Sequence, residues 1–136
     1  MNMDDFRNYD TIKETDIRMN IKKADFVCIQ ETHNTKDMEI YSENYKIYLS
    51  KATNENNNDK GIGGVAIMVR KNLVNTITNI KRISNRNISI QIKISKNTNL
   101  KIINTYAPHM GYNKGERTGY WKEVNKTLEQ IIKMTV

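Results

Sequence analysis

Ile88–Ser89–Ile90–Gln91–Ile92–Lys93–Ile94, then Asn97–Thr98–Asn99, then Leu100–Lys101–Ile102–Ile103–Asn104–Thr105–Tyr106, is the stretch that decides the fold class. Isoleucine recurs at every second position, against Ser, Gln and Lys between. Successive side chains of a strand point to opposite faces, so this period predicts a strand over 86–94 with one apolar and one wet face. Asparagine side chains bond their own backbone in tight turns, which makes 97–99 a hairpin turn. Leu100 to Tyr106 is then the antiparallel partner strand, closed by the only proline, Pro108.

Working outward, Val65–Ala66–Ile67–Met68–Val69 reads as a buried strand, and 76–83 is β-prone. Tyr45 to Leu49 alternates and reads as another strand. The stretch 37–44 reads as a helical turn or two. Ala24 to Gln30 is a short apolar run ended by polar residues, which predicts a strand buried on both faces and central in its sheet. Residues 9–23 form a weakly periodic helix, with Ile12, Asp16, Met19 and Lys23 on a rough common face. Near the end, Tyr120, Val124, Leu128 and Ile132 stand four apart, widened by Trp121 and Ile131, which predicts an amphipathic helix. Helices flanking strands with one hairpin predict an α/β protein with a single mixed sheet.

The chain's 136 residues suit one domain. At 38% hydrophobic and 27% charged, it is composed like a folded protein. The polar stretch 52–60 is rich in asparagine. Net charge is +7, which suits a polyanionic partner. The 16 Lys against 6 Arg, beside 19 Asn and 19 Ile, are also what A/T-rich codons produce. A protein built to grip phosphate favours the bidentate fork of arginine, so the charge alone leaves the partner open. A single cysteine, Cys28, excludes an intrachain disulfide and reads as a small core residue. No signal peptide follows Met1, and no apolar run approaches the roughly 18 residues of a membrane span. An intracellular location, nuclear or cytoplasmic, and no membrane partner are expected.

The residues that can carry chemistry stand at strand ends. Glu31, in Gln30–Glu31–Thr32–His33, follows a buried strand directly. Open α/β sheets bind ligands at such ends, and a carboxylate is a hard ligand suited to Mg²⁺. Position alone reads first as a solvated loop acid. His33 and His109 read as a base, a metal ligand or plain loop residues. Gly61–Ile62–Gly63–Gly64 precedes a strand and no helix, so it reads as a tight turn or close backbone approach and not as a dinucleotide site. Tyr106, in Tyr106–Ala107–Pro108–His109, can donate to a phosphate oxygen or simply pack its ring.

Taken in order, these elements are more specific. Ile29–Gln30–Glu31–Thr32–His33, Gly63–Gly64–Val65–Ala66–Ile67–Met68–Val69, Arg82–Ile83–Ser84–Asn85–Arg86, Ile103–Asn104–Thr105–Tyr106–Ala107–Pro108 and Tyr120–Trp121 follow one another along the chain. The succession resembles the endonuclease/exonuclease/phosphatase family, and most of all the endonuclease of non-LTR retrotransposons. It covers nearly the whole chain, from about residue 2 to 132.

The resemblance implies hydrolysis of phosphodiesters in nucleic acid, DNA before RNA, with Mg²⁺ or with Mn²⁺ in its place. It implies a metal ligand at Glu31, a second at Asn2 by the family's spacing, and a contact to the scissile phosphate at Tyr106. No role carries over to His109. The family fold is a four-layered α/β sandwich of two sheets, and 1–136 is expected to be one truncated domain. That domain would lack the start of the first strand and the C-terminal half, and would supply half the sandwich, one mixed sheet with its helices. Its bare sheet face would favour self-association. The family's Gly-Asp-Phe-Asn and Ser-Asp-His elements do not occur in this sequence. The expectation is therefore a fragment of a metal-dependent endonuclease, inactive alone. The alternative is a non-catalytic remnant or basic nucleic-acid-binding module.

Overall fold

In the computed structural model of the chain, which describes residues 6–53, 62–108 and 113–135, the first helix starts at an asparagine cap. Asn8 Oδ1 accepts from the Asp10 N–H at 2.8 Å, meeting one of the amides that a helix start leaves unpaired. Helix α1 (Tyr9–Ile21) turns Ile12, Thr15, Asp16 and Met19 inward. The strands that follow are β1 (Phe26–Gln30), β2 (Met38–Tyr41), β3 (Tyr45–Ser50) and β4 (Val65–Arg70). A 3-10 helix at Lys71–Thr76 leads into β5 (Ile77–Ser84), β6 (Asn87–Ser95) and β7 (Thr98–Thr105), and helix α2 (Lys114–Thr135) ends the order. Residue Asn2 and residue His109 lie outside the described residues.

The protein is α/β, as the order of elements predicts, but the single mixed sheet is not observed. The strands form two sheets, β1-β4-β3-β2 and β5-β6-β7, with every pairing antiparallel. A parallel pair needs a crossover of a dozen or more residues, usually a helix, and among the described residues no helix lies between these strands apart from the short 3-10 turn. The segment 37–44 supplies β2 in place of a helical turn, because Met38–Tyr41 pairs with Lys46–Leu49. Among the described strands, β1 lies at an edge and not at the centre. It reads as buried on both faces because both are covered. Val27 and Ile29 face the α1 side, while Phe26 and Cys28 face the second sheet.

The elements stack as α1, four-stranded sheet, three-stranded sheet, α2. Ile12 and Met19 of α1 pack on Val27, Ile29, Ile47, Leu49, Ala66 and Met68. The opposite face presents Tyr48, Val65, Ile67 and Val69 to Ile88, Ile90 and Ile92 of β6. The described residues therefore build two sheets where half a sandwich with one was expected. The bare sheet face on which self-association was expected is covered by the second sheet. Each buried Ile or Val in this interlayer contributes roughly 1.5–3 kcal/mol relative to exposure.

The hairpin of β6 and β7 turns at Lys96–Asn97, with Ser95 opposite Thr98, one residue earlier than expected. The wet face of β6 is dry at one end. Asn87 and Ser89 are buried beneath α2, where Glu123 accepts from Ser84 Oγ at 2.6 Å and from Asn87 Nδ2. Helix α2 buries Tyr120 and Thr127, while Trp121 and Leu128 of the expected stripe are 55% and 45% exposed. Among the described residues no helix is long and apolar enough to cross a membrane.

Candidate functional site

Strand β1 delivers Glu31 into a turn that an ordinary residue adopts reluctantly. Glu31 and His33 both have φ of 57°, on either side of the fully buried Thr32. Left-handed backbone at two non-glycine residues costs on the order of 1–3 kcal/mol each, so the surroundings must hold it. They do so by backbone hydrogen bonds. Thr32 N–H donates to the Gly64 carbonyl and His33 N–H to the Gly63 carbonyl, each at 3.1 Å, and the Thr32 carbonyl accepts from Phe6 N–H at 3.1 Å. Gly63 and Gly64 themselves stand at φ 77° and 89°. A Cβ on Gly64 would collide with Thr32 Oγ1, and one on Gly63 would lie 2.9 Å from the Asn85 carbonyl oxygen. The glycine pair is therefore the close backbone approach that its strand-entry position predicts, and its partner is the turn carrying Glu31.

Tyr106 arrives from the other sheet. It follows β7, and its N–H donates to the Arg86 carbonyl at 2.8 Å. The Arg86 guanidinium lies 5.3 Å over the Tyr106 ring and donates through one nitrogen to the Tyr106 carbonyl at 3.3 Å. The Tyr106 hydroxyl donates a hydrogen bond to Glu31 Oε1. The two residues expected at one edge of the sheet thus meet directly, one from the end of each sheet. Both are half-buried.

Beneath this contact lie two amides whose part the sequence does not announce. Asn104, buried at 2% exposure on β7, donates from Nδ2 to the Ile29 carbonyl at 2.9 Å and to the Ala66 carbonyl at 2.8 Å. Gln30 Nε2 on β1 donates to the Thr105 carbonyl at 2.9 Å and reaches Asn104 Oδ1 at 3.5 Å. Both amides therefore tie β7 to the first sheet. Asn104 and Tyr106 are two apart, as are Ile29 and Glu31, so this tie sits one strand repeat below the Glu31–Tyr106 contact. A polar residue on the apolar face of a strand is the one signal that marks Asn104, because buried amides are retained where they are bonded.

Mg²⁺ takes one or two protein carboxylates and keeps several waters, and Glu31 offers one such ligand beside a phenol donor. Among the described residues, no three His, Cys, Asp or Glu side chains gather to hold a metal ion. The second ligand expected, Asn2, lies outside the described residues. A different carboxylate, Asp16, is fully engaged elsewhere. It accepts from Ser42 Oγ, from the Asn44 N–H at 2.9 Å and from Asn44 Nδ2 at 2.7 Å, joining α1 to the β2–β3 turn. Burial pushes its carboxyl up, yet these hydrogen bonds outweigh that and hold it below its ordinary value. Compared with known proteins, the chain matches no family model and no curated protein.

Proposed function

We propose that Glu31 and Tyr106 are the metal and phosphate contacts of a Mg²⁺-dependent phosphodiesterase site of the retroelement-endonuclease kind, acting on nucleic acid. The observation that supports this reading is the Tyr106 hydroxyl donating to the Glu31 carboxylate across two sheets. The carboxylate would ligate the cation, whose chemistry is to polarise a phosphate oxygen and lower the pKa of a bound water. The phenol, pivoting from the carboxylate, would donate to a phosphate oxygen beside it. The Arg86 guanidinium, stacked on the ring, adds positive charge at the same edge.

Binding and cleavage are separate demands. Cleavage needs a group that aims and activates water, and further preorganised donors for the charge developing on phosphate. The sequence lacks the Gly-Asp-Phe-Asn and Ser-Asp-His elements that supply such groups in the family it resembles, which favours a chain that binds nucleic acid and does not cut it alone. Each missing group typically contributes about 10²-fold or more in rate. A plasmid-nicking assay with Mg²⁺ or Mn²⁺ tests this. No nicking by wild type or by Glu31→Ala is expected, with both retarding DNA in gels. Nicking by wild type that Glu31→Ala abolishes would show a working active site and end the non-cutting reading. Mg²⁺ or Mn²⁺ failing to contact Glu31 at all would end the metal assignment.

A further inference from the structure

From the buried tie between the sheets we infer that Asn104, supported by Gln30, is a positioning residue for the metal ligand Glu31 and for Tyr106; the inference rests on the metal reading of that site. Glu31 and Tyr106 belong to different sheets and are 75 residues apart in sequence. Nothing in either sheet's own hydrogen bonding sets the distance between their ends. Packing of isoleucines and valines between the layers is non-directional and tolerates small sliding. Amide hydrogen bonds do not, since they weaken steeply as distance and angle depart from their optimum.

Asn104 spends both Nδ2 protons on carbonyls of the first sheet, those of Ile29 and Ala66, which face each other across β1 and β4. It therefore pins β7 over the seam between those two strands. Gln30 pins the reverse direction, donating from β1 to the Thr105 carbonyl, the residue just before Tyr106. The two amides fix the strand ends in both directions: the Gln30 bond lies one residue from Tyr106 on β7 and one from Glu31 on β1, and the Asn104–Ile29 bond lies two from each. Sheet-to-sheet contact at another point is made by Ser50 Oγ, which donates to the Ser84 carbonyl at 2.7 Å. That bond joins β3 to β5 and touches neither Glu31 nor Tyr106, so it serves as the structural control.

The test uses the full 136-residue chain, with Mn²⁺ as the probe and paramagnetic broadening of the 30–32 amide signals as the readout. Asn104→Leu keeps the branched outline of the side chain and removes both donors, and Ser50→Ala removes the control bond. Each is measured well below its own melting temperature. Residues that orient metal ligands typically cost about 10- to 100-fold in affinity when lost, so Asn104→Leu should weaken Mn²⁺ binding by that order while Ser50→Ala stays near wild type. Folded Asn104→Leu that binds Mn²⁺ like wild type overturns the inference. So does an equal loss in both variants, which would mean that Asn104 serves stability alone. A second readout does not depend on metal. The Tyr106 Cζ chemical shift reports the hydroxyl's bond to Glu31, and it should move in Asn104→Leu toward its value in Glu31→Gln. If wild type binds no Mn²⁺ at Glu31, the metal assignment fails by itself. The Cζ shift then decides the positioning role, which an unmoved shift in Asn104→Leu would sink.

Discussion

A single methyl group at residue 64 tests how tightly the Glu31 turn is held. Gly64 stands at φ 89°, and its missing side chain leaves the space into which Thr32 Oγ1 fits. Gly64→Ala forces both a strained backbone and a collision with a fully buried threonine. A loss of about 2 to 4 kcal/mol is expected, read from the denaturant midpoint at unchanged slope. A loss under about 0.5 kcal/mol, within the range of neutral surface changes, would mean that the turn yields freely. At this scale the sequence is uneven in what it discloses. The glycine pair and Glu31 stand out because their residue types carry strong conformational or chemical preferences. Asn104 and Gln30 do not, because an amide in a strand says nothing about partners 74 and 75 residues away. Arg86 over Tyr106 was equally silent, since cation–π contacts depend on which strands become neighbours.

Among elements, α1 is fastened by a carboxylate as well as by its apolar face. Asp16 is 2% exposed and accepts from Ser42 and Asn44, so α1 and the β2–β3 turn share one buried charge. Its carboxyl is held below the ordinary 3.8. A depressed folded value means the stabilisation is complete above 3.8 and is lost as pH falls through the lower folded value. Asp16→Ala should therefore cost about 2 to 4 kcal/mol at neutral pH and progressively less below 3.8. Melting curves at both pH values check this, and an undiminished gap in acid would show that the carboxylate's charge is irrelevant. The elements themselves were legible where period and length agree. The isoleucine alternation of β6 became a nine-residue strand, and the stretch after Asn8 a helix. Strand β2 was not legible, because four residues carry too little period and need β3 beside them. The α2 stripe misled because Glu123 bonds Ser84 and Asn87, which turns Tyr120 and Thr127 to the sheet and leaves Leu128 outside.

For the whole molecule, the governing quantities are charge and layering. A net charge of +7 predicts attraction to any polyanion. If binding comes mainly from lysines meeting phosphates, affinity should fall about tenfold or more between low and physiological salt, through counterion release. Two unrelated oligonucleotides should bind alike, because phosphate contacts position a protein without reading bases. Fluorescence anisotropy across a salt series measures both, and affinity indifferent to salt would rule out this mode. The α/β class followed from helices flanking apolar strands. The number of sheets did not, because alternation reports that a face is buried and not what covers it. Val65 to Val69 reads the same whether its two sides meet helices or a second sheet.

The late position of Asn104 and Tyr106 in the chain bears on the order of folding. The hairpins β2–β3, β5–β6 and β6–β7 join neighbours in sequence and close short loops, a class of event that takes microseconds. Glu31 meets Tyr106 only by closing a loop of 75 residues, whose entropy is recovered only when the layers dock. During synthesis from the N-terminus, the acidic turn after β1 therefore waits for the seventh strand before it acquires its phenol donor. Formation of the Glu31–Tyr106 pair is thus a reporter of sheet docking, and its kinetics should track the slow, contact-order-limited step and not the formation of any single hairpin.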